Sequence, residues 1–124
     1  MYVISESERR TTVSPVGTMS ALAGPSQGST ELSTWRTEFV AGATGPVHAI
    51  DREQVWMPVS GVLRVEADGV TERVEAGQAL VLPAGVMRRL GAPEGPMVAL
   101  VAMAAGGKAM RPGDDSLIPL PWAE

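Results

Sequence analysis

The chain alternates between short apolar segments and turn residues over most of its length. Apolar and polar positions alternate from Leu63 to Ala67, residues 70–74 begin and end with valine, and Asp68 and Gly69 lie between the two segments. That alternation is typical of half-buried strands, and Asp-Gly favours a tight hairpin turn because glycine accepts a positive φ angle without steric cost. No segment carries a sustained apolar period of about 3.6 residues, so the pattern predicts strands rather than long helices.

Further strands follow from the same pattern. We expect them at residues 31–40, 47–50, 54–59, 79–82, 88–90 and 97–103, with shorter extended pieces around 2–4 and 18–22. The 14 glycines and 10 prolines lie mostly between these segments. Eight or more short strands at spacings of about 8–12 residues indicate an all-β barrel or jelly roll.

The length of 124 residues leaves room for one domain. Residues 1–30 are polar and predict an N-terminal arm that adds strands to the barrel or to a dimer. Residues 31–105 predict the barrel, and residues 106–124 predict a tail rich in proline and glycine. Trp122 near the end of that tail is expected to dock on the same subunit or on a neighbour.

Composition narrows the classes of function. The chain has no cysteine and one histidine, which excludes disulfides, thiolate metal sites and a cysteine nucleophile. A net charge of -4 argues against binding to nucleic acid or to an anionic membrane surface. The first residues show no signal peptide, and the longest apolar run, 98–105, is far shorter than the ~20 residues of a membrane span. We therefore predict a cytoplasmic protein.

Two segments resemble the paired motifs of the cupin superfamily. Residues 45–61 read GPVHAIDREQVWMPVSG, and residues 77–88 read GQALVLPAGVMR. Gly61 closes the first motif, and Gly77, Pro83 and Gly85 have the spacing of the second. The resemblance is to small single-domain bacterial members and covers residues 31–105. It implies a double-stranded β-helix, the cupin form of the jelly-roll barrel.

The metal-ligand positions of these motifs are altered. Metal-binding cupins carry three histidines and a glutamate, whereas this chain has His48, Ile50, Gln54 and Arg88 at those positions. Isoleucine cannot bind a metal, glutamine offers one neutral oxygen, and the arginine cation repels a metal ion. We therefore predict no metal and no other cofactor. A weakly held metal at His48 and Gln54 remains the alternative.

The same positions predict a ligand site inside the barrel. Strand alternation directs His48 and Arg88 inward, where Arg88 would bind a carboxylate, a phosphate or a developing enolate and His48 would transfer protons. We predict these two as catalytic residues. The predicted ligand-binding residues are Ile50, Gln54, Trp56, Met57 and Met87, although the two methionines have the opposite parity to their neighbours.

The predicted function is a metal-independent isomerase, cyclase or dehydratase acting on a small anionic or enolisable substrate. The alternatives are a non-catalytic ligand-binding or sensor cupin and a cupin with a divergent metal site. His48 could instead fill the barrel mouth, Gln54 could be a hydrogen-bonded core amide, and Trp56 could be a core aromatic. Arg88 could form an ion pair with Glu38, Asp51 or Glu53. The arm and tail also predict a homodimer, and the cupin resemblance implies that the two barrels pair through edge strands or swapped arms.

Overall fold

A computed structural model describes residues 1–124, and antiparallel strands dominate it. The strands, in chain order, are β1 (Thr11–Ser14), β2 (Gly17–Ala21), β3 (Leu32–Phe39), β4 (Ala43–Thr44), β5 (Ala49–Ile50), β6 (Gln54–Ser60), β7 (Val62–Ala67), β8 (Val70–Glu75), β9 (Leu80–Leu82), β10 (Arg88–Ala92), β11 (Met97–Ala104), β12 (Lys108–Met110) and β13 (Ile118–Pro119). Three short 3-10 helices lie at Glu8–Arg10, Pro25–Gln27 and Pro121–Ala123. None of these helices has the length and apolar character needed to cross a bilayer.

The strands form three antiparallel sheets. One has six strands in the order β1-β2-β3-β11-β6-β9, one has four in the order β4-β10-β7-β8, and one has three in the order β13-β12-β5. A single cluster of 18 buried apolar residues, drawn from all three sheets, forms the core. The all-β jelly-roll prediction is confirmed.

Alternation in the central strands separates the core from the outer surface. In β11 the residues Met97, Ala99, Val101 and Met103 are buried, while Leu100 between them is exposed. The two faces of a strand alternate with a period of two, so each of these strands sends one set of side chains into the barrel.

Glycine is required where strands approach closely. Gly61 has φ 72°, and a Cβ atom there would lie 2.1 Å from the Pro96 carbonyl oxygen. The predicted hairpin between β7 and β8 is also present, with φ 51° at Asp68 and 75° at Gly69. Two positive φ angles in a two-residue loop match the twist of the flanking strands.

Both terminal segments pack onto the barrel. The N-terminal arm supplies β1 and β2, which extend the six-stranded sheet beyond β3. The tail supplies β12 and β13, and the Ser33 hydroxyl donates a hydrogen bond of 2.5 Å to the Ala123 carbonyl. Trp122 packs against the core of the same chain. Strands β1, β4, β12 and β13 were not predicted because they are short and lack a clear apolar alternation.

Candidate functional site

Arg88 begins β10 and extends from the four-stranded sheet towards the six-stranded one. Its Nη2 atom donates a hydrogen bond of 2.7 Å to Oε1 of Gln54, the first residue of β6. Only 1% of Arg88 is exposed. The two sheets are therefore joined inside the barrel by a guanidinium and an amide that are 34 residues apart in sequence.

Gln54 has its amide orientation fixed by two donors. Besides Arg88, the indole Nε1 of Trp56 donates to the same Oε1 at 3.0 Å. The amide Nε2 must then point the other way, and it lies 3.6 Å from the Met103 sulfur, a weak acceptor. Gln54 is thus a hydrogen-bonded core amide that also holds Arg88 in place.

The charge of Arg88 has no carboxylate partner within the chain. Its Nε and Nη1 atoms are buried and make no hydrogen bond. Burial lowers the pKa of Arg88 to about 10, which still leaves the side chain cationic at neutral pH. The barrel interior therefore holds an uncompensated positive charge and two unused donors.

The predicted ion pairs for Arg88 are wrong, because two of the three carboxylates have other partners and the third is exposed. Glu38 pairs with Arg36 at the surface. Asp51 accepts a hydrogen bond of 2.7 Å from the Lys108 backbone N–H, and Glu53 is exposed.

His48 is fixed beside Arg88 by the backbone. The His48 N–H donates to the Arg88 carbonyl at 3.0 Å, and the Arg88 N–H donates to the His48 carbonyl at 2.9 Å. Residues paired in this way present their side chains on the same face of the sheet. His48 and Arg88 therefore lie on the same face, as strand alternation predicted.

The protonation state of His48 follows from its contacts. Its Nδ1 lies 2.9 Å from the Pro46 carbonyl oxygen, which can only accept a hydrogen bond, so the neutral ring carries its proton on Nδ1. Nε2 is then the basic nitrogen. Burial lowers the pKa of His48, the charge of Arg88 lowers it further, and the Pro46 contact acts in the opposite direction. At neutral pH the imidazole is uncharged.

The remaining predicted residues divide into two groups. Ile50 and Trp56 are buried, and Trp56 packs at a ring distance of 6.1 Å from Phe39. Met57 and Met87 are each 37% exposed, so the prediction that they line the barrel interior is wrong. Their parity explains the error, since each directly adjoins an inward-facing residue.

Met103 contacts Gln54, and it was not predicted from the sequence as a site residue. It is 2% exposed and lies directly opposite Gln54 across the β6–β11 pairing. The signal was present, because Met103 continues the buried alternation of Met97, Ala99 and Val101. Methionine in such a run predicts packing, and nothing local connects it to a residue of β6.

The residues at the former ligand positions do not fit a metal ion. No group of three or more His, Cys, Asp or Glu side chains comes together in the molecule. The Gln54 oxygen already accepts two hydrogen bonds, and the Arg88 cation lies 2.7 Å from it. A metal ion there would displace both donors and face a fixed positive charge.

Two surface clefts lie outside the barrel, along the four-stranded sheet. One of about 250 Å³ is lined by Arg64, Glu66 and Arg89 among others. The other, of about 300 Å³, includes Arg73 and Arg64. Most of these arginines are paired with glutamates, as Arg64 is with Glu66 at 2.9 Å. Neither cleft is lined by Arg88 or His48.

Comparison with solved structures identifies the fold. KdgF from Halomonas sp. superposes with a TM-score of 0.69 at 21% identity, covering 84% of this chain and 93% of that chain. The DMSP lyase DddQ from Ruegeria pomeroyi DSS-3 gives 0.71 at 16% identity, covering 91% and 63%. Oxalate decarboxylase from Bacillus subtilis gives 0.70 at 18% identity, covering 77% and 27%. The chain has the cupin fold.

The likeness of this chain to known proteins is structural. No protein-family model matches the sequence, and no curated protein does. The chain spans most of KdgF, less than two thirds of DddQ and about a quarter of the oxalate decarboxylase. The cupin resemblance read from the two motifs is confirmed at the level of fold.

Proposed function

We propose that this cupin binds a small organic carboxylate inside its barrel without a metal ion, using Arg88 as the anion-binding group. The unpaired guanidinium carries the proposal. Arg88 is the only charged residue among the buried side chains. Burying a charge without a partner costs several kcal/mol, and a bound anion offsets that cost.

The donor arrangement favours a carboxylate of single charge. The Nε and Nη1 atoms of Arg88 are unused N–H donors, and Nη2 gives only one of its two hydrogens to Gln54. The second Nη2 hydrogen and one of the unused donors can therefore hold a carboxylate through paired, charge-assisted hydrogen bonds. No second cation is buried that would balance a doubly charged phosphate.

His48 extends the proposal to catalysis. A neutral imidazole with basic Nε2 can remove a proton from a carbon next to the substrate carbonyl or carboxylate. The electron pair of the broken C–H bond then moves to oxygen, and Arg88 stabilises the resulting enolate. Return of the proton from Nε2 to a different carbon completes an isomerisation. In a dehydration the same proton passes from Nε2 to the β-hydroxyl, which leaves as water while the enolate electrons form the C=C bond. Binding without turnover is the second candidate, because Arg88 and Gln54 suffice for it.

Calorimetric titration of small anions tests the binding proposal. Acetate, pyruvate, oxalate, phosphate and sulfate are compared on the wild type, on Arg88→Met and on Arg89→Met. Arg89 is the neighbouring arginine and is exposed. We expect the wild type to bind a carboxylate. Arg88→Met should weaken this binding at least 100-fold, which is the contribution of about two charge-assisted hydrogen bonds, and Arg89→Met should leave it unchanged. Equal binding by wild type and Arg88→Met would refute the role of Arg88.

His48→Gln separates catalysis from binding. The variant should bind the same carboxylate with nearly unchanged affinity and lose turnover, detected as solvent deuterium exchange at the acidic carbon. Retained exchange in the variant would assign catalysis to another group.

Elemental analysis of untagged protein tests the remaining alternative, a divergent metal site. One equivalent of a transition metal per chain would contradict metal-independent binding.

A further inference from the structure

The polar side-chain atoms around Arg88 include several free hydrogen-bond donors and almost no free acceptor. A guanidinium carries five N–H groups and no acceptor. Gln54 takes one of these N–H groups, and the Nε and Nη1 atoms make no hydrogen bond. A ligand that reaches Arg88 therefore meets more free donors than one carboxylate can use.

The acceptors beside these donors are nearly all occupied. A carbonyl oxygen has two lone pairs, and the Gln54 oxygen already accepts from Arg88 and from the Trp56 indole. His48 keeps one acceptor, its Nε2 atom, because its Nδ1 atom donates to the Pro46 carbonyl. Next to Arg88, the His48 Nε2 atom is therefore the one side-chain acceptor left for a ligand.

The other buried polar side chains do not change this balance. They are Ser20, Ser33 and Thr37. The two serine hydroxyls contact the N-terminal arm and the C-terminal segment, respectively. The Thr37 hydroxyl has no partner, but Thr37 lies opposite Ala99 on β11. Gln54 pairs with the other end of β11, at Met103, so Thr37 lies away from the guanidinium.

The walls beside the Arg88–Gln54 pair are apolar. Leu82 and Met103 lie directly opposite Gln54 on the two sides of β6, and both are buried. Residues directly opposite each other on one face of a sheet are in contact. The part of a ligand that extends from its carboxylate therefore packs against apolar side chains.

This unequal supply of donors and acceptors discriminates between polar groups on a ligand. Carboxylate and ketone oxygens only accept hydrogen bonds, so the free donors of Arg88 can serve both. A hydroxyl group also carries a proton that needs an acceptor. The first such proton can go to His48 Nε2, whereas each further hydroxyl leaves a buried donor without a partner and weakens binding by roughly tenfold.

We propose that the barrel selects short oxo acids, which carry a carboxylate and one ketone on an otherwise apolar body, and rejects polyhydroxylated acids such as sugar acids. This inference rests on the proposed binding of a carboxylate by Arg88 and names its substrate class. A ketone also makes the C–H bonds of the neighbouring carbon acidic, which the proposed proton transfer to His48 requires.

Trp56 determines this specificity through Gln54. Its indole N–H occupies the second lone pair of the Gln54 oxygen at 3.0 Å. Without the indole, that oxygen could accept a hydrogen bond from a ligand hydroxyl. Trp56 thus keeps the site poor in acceptors without adding any polar atom that a ligand can use.

Calorimetric titration with acids of equal charge and similar size tests the proposal. The probes are α-ketoisocaproate, α-hydroxyisocaproate and threonate, which carry one ketone, one hydroxyl and three hydroxyls, respectively. We expect the wild type to bind α-ketoisocaproate about 100-fold more tightly than threonate, roughly tenfold for each of the two hydroxyls without an acceptor. α-Hydroxyisocaproate should bind within a few-fold of the oxo acid, because His48 accepts its single hydroxyl proton.

Two matched tryptophan variants test the role of Trp56. Trp56 and Trp35 are both buried, and they lie opposite Val101 on the two sides of β11. Trp56→Phe frees the Gln54 lone pair and should reduce the preference for α-ketoisocaproate over threonate by roughly tenfold. Trp35→Phe removes the same indole bulk and should leave that preference unchanged. Circular dichroism with thermal melting establishes that both variants are folded.

The outcomes separate this inference from the proposed function. If Arg88→Met abolishes binding but the wild type binds threonate as tightly as α-ketoisocaproate, the selection of oxo acids is wrong and carboxylate binding stands. If the wild type binds none of the three acids, or Arg88→Met binds them equally well, both proposals are wrong. An equal preference in Trp56→Phe and Trp35→Phe would overturn the role of Trp56.

Discussion

The arginines inside and outside this barrel have opposite surroundings. Arg36 is partly exposed and contacts two carboxylates, Glu6 and Glu38. Arg73, also exposed, forms a two-bond pair with Glu94 at 2.7 and 2.9 Å. Arg88 is almost fully buried and contacts one neutral amide. Arg36 and Arg73, which water can solvate, are paired with carboxylates, and Arg88, which water cannot reach, is not.

This contrast separates stability from function. Exposed ion pairs contribute little, because water and salt already screen both charges. A buried charge without a counterion destabilises the fold, and a chain retains it only where another demand outweighs the cost. The paired surface arginines are therefore explained by folding and solubility, whereas the buried charge of Arg88 is the one that the proposed carboxylate would compensate.

Replacing Arg88 by methionine gives the largest expected change in stability. Methionine fills a similar volume without a charge, so the free energy of unfolding of Arg88→Met should stay equal to that of the wild type or rise by up to about 1–4 kcal/mol. The Gln54 oxygen keeps its hydrogen bond from Trp56. Urea denaturation measures the change. A clear fall in the free energy of unfolding would mean that Arg88 is a structural residue, and the contrast with the surface arginines would no longer hold.

Gln54→Glu supplies an internal carboxylate beside Arg88. The new ion pair would occupy the guanidinium and should weaken binding of external carboxylates by about 10- to 100-fold, the value of one charge-assisted hydrogen bond. Gln78→Glu is the control, because Gln78 is exposed and its side chain bonds only the Glu75 backbone. Calorimetry with the same carboxylate compares the two. Unchanged affinity in Gln54→Glu would place the ligand elsewhere.

The pH dependence of stability reports on His48. Burial and the Arg88 charge lower its pKa below 6.5, so the folded protein resists protonation of the imidazole. As the pH falls below 6.5, the unfolded chain binds a proton that the folded one does not, and the free energy of unfolding falls. The loss ends once the pH passes the lowered pKa, and each unit of pKa shift contributes about 1.4 kcal/mol.

His48→Gln should remove this part of the pH dependence while leaving the titration of the carboxylates in place. Urea denaturation of both proteins between about pH 7.5 and pH 5 covers the range in which an ordinary histidine titrates. Parallel curves for the two proteins would show that the environment of His48 does not oppose its charge.

Arg36→Met gives the smallest expected effect and completes the comparison with Arg88→Met. The free energy of unfolding should fall by no more than about 1 kcal/mol, and the difference should shrink as salt is added. Denaturation at low and high ionic strength measures both. A larger, salt-independent loss would show that the outer pairs also hold the fold together.

Most of the barrel could be predicted from the sequence, because the patterns that indicate its strands and turns are local. Strand alternation, the turn at Asp68 and Gly69, and the two glycine motifs each act within a few residues. The short strand β12 escaped prediction because it depends on pairing with β5, more than fifty residues earlier, and β13 pairs only with β12.

The candidate site was likewise predictable from the sequence only where the signal is local. Residues two apart share a face, so Gln54 and Trp56 could be placed together from the sequence. The partner of Arg88 could not, because an amide 34 residues away and a distant carboxylate are equally consistent with the sequence. Only the fold shows that Glu38, Asp51 and Glu53 are engaged or exposed elsewhere.

The bond between Trp56 and Gln54 would let the fluorescence of Trp56 report a ligand that binds Arg88. The indole N–H and the Arg88 guanidinium share one amide oxygen, so a carboxylate that neutralises Arg88 changes the electric field across the indole ring. Indole emission responds to such a field by shifting in wavelength. With Trp35 and Trp122 replaced by phenylalanine, the fluorescence of Trp56 alone would report whether the guanidinium is occupied, without a label and before any ligand is identified.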